Sequence, residues 1–452
     1  MRKPKPLKLC CLAILLACMG SVQAQDEERY EDDTTGTGST FQKGTQLLKL
    51  KKSYTLGDGI SLRSANGYFH INPTLQTLFG MNTANDNLSA LNSSFSINRA
   101  RITLAANLFD RKYNLIARLN LPSNNQSTTT SNRSFNTVLQ EAYFEYRPNL
   151  KHTFNIGLRA DYIDSRETRF QGEDLSFINR SAISSSFDAI FDYGIRYKGN
   201  YRIGGKQLLR PYLSITSGDS RSALQKNFGG FKYGVRLDYL PFDRFSEGGE
   251  FFMDDLARES KPKLVIGVVF NYNDGASSAM GTNGGRYIYG DVSQKQLLPT
   301  YTKWGVDYLF KFNGFYSLGS YVTTSAKTPS DVVGEFRLNG TFNAYSSTQT
   351  PSQTNDLILS RLNLGSGFNV QGGYVFASDV SVGLRFTRLN ANAVSAAFAD
   401  YNRFYTLAIN KYIARHNLKI QGEFGFDEFR DQLKTSTSKG NYYAQVMATI
   451  QL

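Results

Sequence analysis

The sequence predicts a transmembrane antiparallel β-barrel of about 16 strands, and three observations lead there. Apolar residues recur at every second position, the period of a strand with one face in lipid. The connections between these stretches alternate between short and long. Aromatic residues are abundant (32 Phe, 27 Tyr and 1 Trp, 13% of 452 residues), yet after residue 25 no apolar run reaches the roughly 20 residues of a spanning helix.

Composition narrows the classes further. The hydrophobic share of 40% and mean hydropathy of −0.37 would suit a soluble chain, but the apolar residues are spread evenly. With 39 Gly, 11 Pro and 3 Cys, the chain is neither collagen, coiled coil nor disulfide scaffold. Residues 1–24 read as a signal peptide. Arg2, Lys3, Lys5 and Lys8 precede an apolar core, and Val22-Gln23-Ala24 forms a small-x-small cleavage site. Cys10, Cys11 and Cys18 all fall in this segment, so the processed chain has no disulfide, thiol nucleophile or cysteine metal site. Processing lowers the net charge from +13 to +9. In an exported, strand-rich chain that excess points to anions or lipopolysaccharide phosphates as partners, not nucleic acid.

Residues 25–66 read as an N-terminal periplasmic extension: acidic from Asp26 to Asp33, then Thr/Gly/Ser-rich, then basic at Lys49–Lys52. The barrel is expected over 67–452. In chain order its outward apolar sets begin with Phe69/Ile71/Leu75/Phe79, Ile102/Leu104/Leu108, Tyr113/Leu115/Leu119 and Val138/Phe144/Tyr146. Phe154/Ile156/Leu158, a continuous Tyr193/Ile195/Tyr197/Tyr201, Leu209/Leu213/Ile215 and Tyr233/Val235/Leu237 follow. The second half adds Leu264/Ile266/Val268/Phe270, Trp304/Val306/Tyr308/Phe310, Tyr316/Leu318/Val322 and Phe368/Val370/Tyr374. Val380/Val382/Leu384/Phe386, Tyr405/Leu407/Ile409, Leu418/Ile420/Phe424 and Tyr442 to Leu452 complete the set. Sixteen is even, as bacterial single-chain barrels are. A hairpin in Val332–Ala344 would raise the count to 18. The last stretch would be a long apolar edge in a soluble sheet, and closure against the first strand removes that edge.

Short Asx/Gly/Pro turns such as Asn313-Gly314 alternate with long polar loops such as Pro122–Asn136, Asp161–Ala189 and Thr324–Gly365. Short periplasmic turns and long outer loops are a barrel pattern. Pro241–Pro262 is the exception, a long connection on the short-turn side.

If the apolar parity faces lipid, the other parity lines the lumen. It carries thirteen basic residues, among them Arg101, Arg118, Arg159, Arg196, Lys198, Arg236 and Arg385, against six acidic ones. Such an excess favours anions, and the planar guanidinium suits phosphate. The third outer loop, Asp161–Ala189, adds Arg166, Arg169 and Arg180 as pore-lining candidates. It is placed either folded inward, narrowing the pore, or on the solvated surface.

Phe95–Arg101 with Asn114–Arg118, Leu139–Pro148, Phe177–Ser181 and Asp192–Gly199 resemble, in this order, stretches of the phosphate-selective porin O and P family. The resemblance is best over 67–272. It implies a 16-stranded outer-membrane porin, commonly a homotrimer, that passes phosphate or other anions. It also implies an arginine ladder, with Arg101, Arg118, Arg159 and Arg196 as matching positions. The family's lysine-rich constriction has no counterpart, because the third loop has arginines and no lysine. An enzyme is not expected. His70, His152 and His416 stand apart with no nucleophile beside them. No metal spacing, Walker loop or cofactor motif is present. The rival class is a non-conducting structural or scaffold barrel in a secretion or uptake complex.

Overall fold

Sixteen strands close into one antiparallel ring in the computed structural model, which describes residues 51–57, 59–64, 67–83, 91–121, 138–160, 163–218, 230–279, 287–337, 339–435 and 438–452. The expected signal peptide and acidic stretch lie outside the described residues. In chain order the strands are β1 (Lys51–Thr55), β2 (Gly59–Ser64), β3 (Gly67–Thr83), β4 (Leu91–Leu108), β5 (Tyr113–Asn120), β6 (Leu139–Asn149), β7 (His152–Ala160) and β8 (Phe191–Gly199). Next come β9 (Tyr201–Gly204), β10 (Gln207–Thr216), β11 (Lys232–Leu240), β12 (Lys263–Asp274), β13 (Ile288–Gly290), β14 (Gln296–Leu297), β15 (Thr300–Phe312) and β16 (Phe315–Lys327). The last are β17 (Gly334–Phe336), β18 (Phe342–Ala344), β19 (Gly365–Val375), β20 (Val380–Ala391), β21 (Tyr401–Ala414), β22 (Leu418–Phe429) and β23 (Gly440–Gln451).

The ring runs from β3 to β8, then β10, β11, β12, β15, β16 and β19 to β23. It closes where β23 pairs with β3, with Val446 opposite Phe79. Closure leaves no open edge, which a bilayer requires, since lipid offers no hydrogen bonds. Outside β16 the outward stripe is exposed as expected: Leu75, Leu115, Ile156, Val268, Leu384, Phe424 and Val446 all face out. Among the described residues no helix is long and apolar enough to cross a membrane. The turns follow local chemistry. At Asn313-Gly314 both residues take positive φ, 47° and 88°, the backbone of a two-residue hairpin matched to strand twist.

Four details differ from the sequence reading. On β16 the expected outward set Tyr316, Leu318 and Val322 is buried and faces in, while Phe315 and Tyr321 face out, since apolar residues occur on both parities of this strand. The hairpin within Val332–Ala344 forms, as β17 and β18, but it joins β13 and β14 in a separate four-stranded sheet and leaves the ring at 16. The strand read as continuous from Tyr193 to Tyr201 breaks at Asn200 into β8 and β9. Finally, the end of the stretch read as a loose extension carries β1 and β2. The reason is an edge: β23 pairs no further along β3 than Thr74, so the first residues of β3 have an open side. There β2 pairs with it, Ile60 opposite Ile71, and Gly57 N–H donates to the Gln451 carbonyl (3.1 Å).

Gly59 makes that hairpin possible. Its φ is +71°, and a Cβ would stand 2.1 Å from the Ile71 carbonyl oxygen. Gly59→Val is expected to weaken the hairpin by about 1–3 kcal/mol. Amide exchange in β1 and β2 should accelerate while the β3–β23 seam stays protected; unchanged exchange would refute the assignment.

Candidate functional site: the charged lumen

Strand geometry puts alternate residues on one face, and the inward parity is the charged one. Three inward residues on β15, Lys303, Asp307 and Lys311, mark the lumen's height. Successive members are four residues apart, roughly 13 Å. Each meets a different part of the two segments that enter the barrel.

One segment is the third outer loop. The structure resolves its placement in favour of the lumen: Ile163, Arg166, Phe170, Leu175, Phe177 and Ile183 are all buried. Its short helix α1 (Ala182–Phe187) packs among Tyr301, Val322, Leu364 and Leu389 at the long-loop end. Near that end Lys303 Nζ holds Asp164, the Phe187 carbonyl (2.9 Å) and Asp188 (3.3 Å), clamping both limbs of the loop. The other segment is 241–262, which enters from the short-turn end. There Lys311 Nζ donates to the carbonyls of Gly249 (2.6 Å) and Asp254 (2.5 Å).

At mid-height Asp238, Gly267 and Asp307 stand in one row across β11, β12 and β15. The glycine leaves the space between the two carboxylates open; a Cβ there would sit 2.0 Å from Arg236 Nη2. Three guanidiniums fill it. Arg236 binds Asp238 (2.8 Å) and both oxygens of Asp307 (2.7 and 2.5 Å). Arg166 reaches Asp238 (3.0 Å) and Asp307 (3.3 Å), and Arg169 binds Asp238 (2.7 Å) with its plane over the Tyr212 ring (4.5 Å). This cluster is sealed from water.

The β3–β7 sector is built the same way. Arg101 binds Glu173 of the loop (3.1 Å) and Asn120 (3.0 Å). Arg118 binds Glu141 (2.5 Å) and Gln171 (2.6 Å). Arg159 and Arg147 share Glu145 (3.0 and 2.6 Å), and Arg159 lies over the Tyr143 ring (4.3 Å). Arg99, absent from the candidates, belongs here too. It donates to Gln76 (2.7 Å) and packs against Gly172.

The remaining candidates are spread around the wall. Arg196 lies flat, donating to the carbonyls of Asp192 (2.7 Å), Gly157 (3.2 Å) and Arg159 (3.3 Å). Lys198 sits between the Phe251 and Tyr212 rings (5.7 and 6.0 Å). Arg385 donates to the Asn179 carbonyl (2.7 Å) and covers the Phe177 ring (4.5 Å). Arg180 ties the loop to itself through the Phe170 carbonyl (2.5 Å). The sequence reading placed the strand residues inside, left the loop arginines open between lumen and surface, and gave no partners to either. Some partners come from the two inserted segments (Gln171, Glu173, Phe177 and Phe251), and the rest stand on the wall itself.

The strand wall carries a cation excess, which the inserted segments offset with buried acids of their own: Asp164, Glu167, Glu173, Asp188, Asp254, Asp255 and Glu259. Three guanidiniums share Asp238 and Asp307, and two share Glu145. On the loop, burial and then the neighbouring Glu173 push the Asp174 carboxyl up to about 8, so at neutral pH it does little to offset that excess. Burial works against the charge of Glu173 as well, but Arg101 and Arg118 outweigh it and hold that carboxyl below its usual range. Among the described residues no group of three or more His, Cys, Asp or Glu could hold a metal ion.

Arg236→Ala strands part of the charge of two buried carboxylates. A loss of about 3–5 kcal/mol is expected in the unfolding free energy of the reconstituted protein. Arg147→Ala, at a half-exposed residue, should cost about 1 kcal/mol or less. Equal effects from the two would contradict the mid-lumen anchor.

No protein-family model matches the chain, and no curated protein matches it. Solved structures match it in fold. OprB of Pseudomonas putida, in its high-pH structure, aligns with a TM-score of 0.51 at 10% identity, over 85% of this chain and 94% of that one. OmpF of Salmonella typhi in complex with daunomycin aligns with a TM-score of 0.49 at 10% identity, over 89% and 100%. The anion-selective porin from Comamonas acidovorans aligns with a TM-score of 0.48 at 10% identity, over 85% and 99%. What the chain shares with OprB is the closed barrel fold.

Proposed function

We propose that the chain is an outer-membrane channel for passive uptake of small anions, phosphate and polyphosphate among them. In this reading the short turns face the periplasm and the long loops face outward. Outer-membrane lipid and lipopolysaccharide cover the apolar belt. The observation that carries it is the cation excess on the inner wall. A low-dielectric wall focuses that charge and concentrates anions within it. Arg101, Arg118 and Arg159 keep 9%, 12% and 14% side-chain exposure, which supports a path along the β4–β7 sector. The phosphate preference and the homotrimer rest on the resemblance to the phosphate-selective porins, whose arginine-ladder positions match Arg101, Arg118, Arg159 and Arg196.

The second reading, a non-conducting scaffold barrel, draws on the apolar cluster that the third loop and segment 241–262 share with the inner wall. Single-channel recording separates the two, since a scaffold passes no current. For the channel, the reversal potential in a salt gradient should report anion preference. Arg101→Ala together with Arg118→Ala should lower the anion-to-cation permeability ratio several-fold, because each leaves a carboxylate less compensated. Arg196→Ala should lower it less. Cation preference in the unaltered protein would overturn the proposal.

A further inference from the structure

We propose that residues 241–262 are a displaceable plug that closes the lumen at the short-turn end and is latched by Asp254. The inference rests on the channel reading and adds a closed state to it.

Length is the first argument. Other connections at this end, 109–112, 150–151, 313–314, 376–379 and 415–417, span two to four residues. Strands β11 and β12 are paired up to Tyr239 opposite Ile266, and β11 also pairs with β10 to its last residue, Leu240. A tight turn could therefore join β11 to β12. The chain instead spends 22 residues between Leu240 and Lys263.

Burial is the second. Phe245, Met253, Asp254, Asp255 and Glu259 are all buried. Phe245 and Met253 pack with Leu208, Leu240, Val265, Leu309, Leu318 and Val375 of the wall, and with Phe170, Leu175 and Phe177 of the third loop. The lumen floor is thus an apolar seal that two insertions complete from opposite ends.

The third is how the seal is held. Asp254 accepts from His416 Nε2 (3.0 Å), the Tyr412 hydroxyl and Ser176 Oγ of the third loop (3.0 Å). Glu250 pairs with Arg210. The segment pairs with no barrel strand, so side chains and single carbonyls hold it. Its link to the third-loop backbone is one long bond, Met253 N–H to the Asp174 carbonyl (3.5 Å). Asp243, Glu247 and Arg258 take positive φ (76°, 51° and 49°). A non-glycine backbone keeps such angles only while its surroundings impose them. Asp255, Arg258 and Glu259 anchor its outer end to the 313–314 turn and the Val375 carbonyl, and Asp254 latches the inner part, which is not woven into the sheet.

The test uses the full mature chain in planar bilayers, with heat-modifiable gel migration as the folding check. One variant replaces residues 242–261 by Asn-Gly; the other is Asp254→Ala. The unaltered protein should be mostly closed. Asp254→Ala should lengthen open time several-fold, and the shortened variant should conduct steadily. Equal conductance in all three overturns the plug and leaves the channel reading intact. No current from any of the folded proteins overturns both. If the shortened variant does not fold, Asp254→Ala decides alone, and unchanged open time refutes the latch.

Discussion

Two aspartates facing into a closed barrel set a condition that most of the lumen then satisfies. Asp238 and Asp307 stand in one row with Gly267 between them, about two strand spacings or roughly 10 Å apart. Both are sealed from water. A buried carboxylate without a partner costs several kcal/mol, and Arg236 alone cannot surround two. The third loop must therefore come inside to deliver Arg166 and Arg169. Once it is inside, its own Asp164, Glu167, Glu173 and Asp188 need partners. Lys303, Ser181 and Arg101 provide them. The inner wall and the loop are thus charged in complement, and neither is stable without the other.

The ladder on β15 shows how this propagates along the axis. Lys303 fixes the limbs of the loop, Asp307 fixes its first turn, and Lys311 fixes the segment rising from the other end. Below Asp307 the wall changes character. Leu208, Leu240, Val265, Leu309 and Leu318 point inward there, where a water-filled pore would have polar groups. Apolar residues on the lumen face gain little unless something apolar covers them, at about 25 cal/mol per Å² buried. Phe245 and Met253 from one insertion and Leu175 and Phe177 from the other do so. The charged tier positions the loop, and the apolar tier then recruits segment 241–262 to its tip.

Period two was enough to read the ring from the sequence, because lipid demands an outward apolar stripe, but on β16 it picked Tyr316, Leu318 and Val322 where Phe315 and Tyr321 face out. The inward position of Arg101, Arg118, Arg196, Arg236 and Arg385 followed from the same parity. What the parity could not give is pairing. Arg166 and Asp307 are 141 residues apart and meet only because a loop folds back. Arg99 shares the parity of Arg101 and was missed because the apolar set of its strand starts only at Ile102, with a bulge at Asn98 just beyond it. The plugged floor did leave a trace. Leu208-Leu209, Leu264-Val265, Leu309-Phe310 and Val375-Phe376 are apolar on both parities, all near the short-turn end. Such doublets mark strand segments with no water on either side. The hairpin at 51–64 was obscured for another reason: its partner is an edge created by where β23 stops pairing, a tertiary circumstance that no local pattern encodes.

Charge and packing therefore divide the barrel into sectors with different tasks. Around β10–β16 the ionic groups are buried and hold the insertions, with Asp164, Asp188, Asp238 and Asp307 facing the cations. Around β4–β7 the guanidiniums are paired too, but Arg101, Arg118 and Arg159 still touch solvent. A guanidinium with a carboxylate on one edge keeps donors on the others, since it carries five N–H groups in a fixed fork. A passing anion could use those donors without breaking the resident pair. In the sealed sector the same approach would require separating charges at a cost of several kcal/mol. Any solute interaction with the wall is thereby confined to the β4–β7 sector, where Arg101 and Arg118 also hold Glu173 and Gln171 of the third loop.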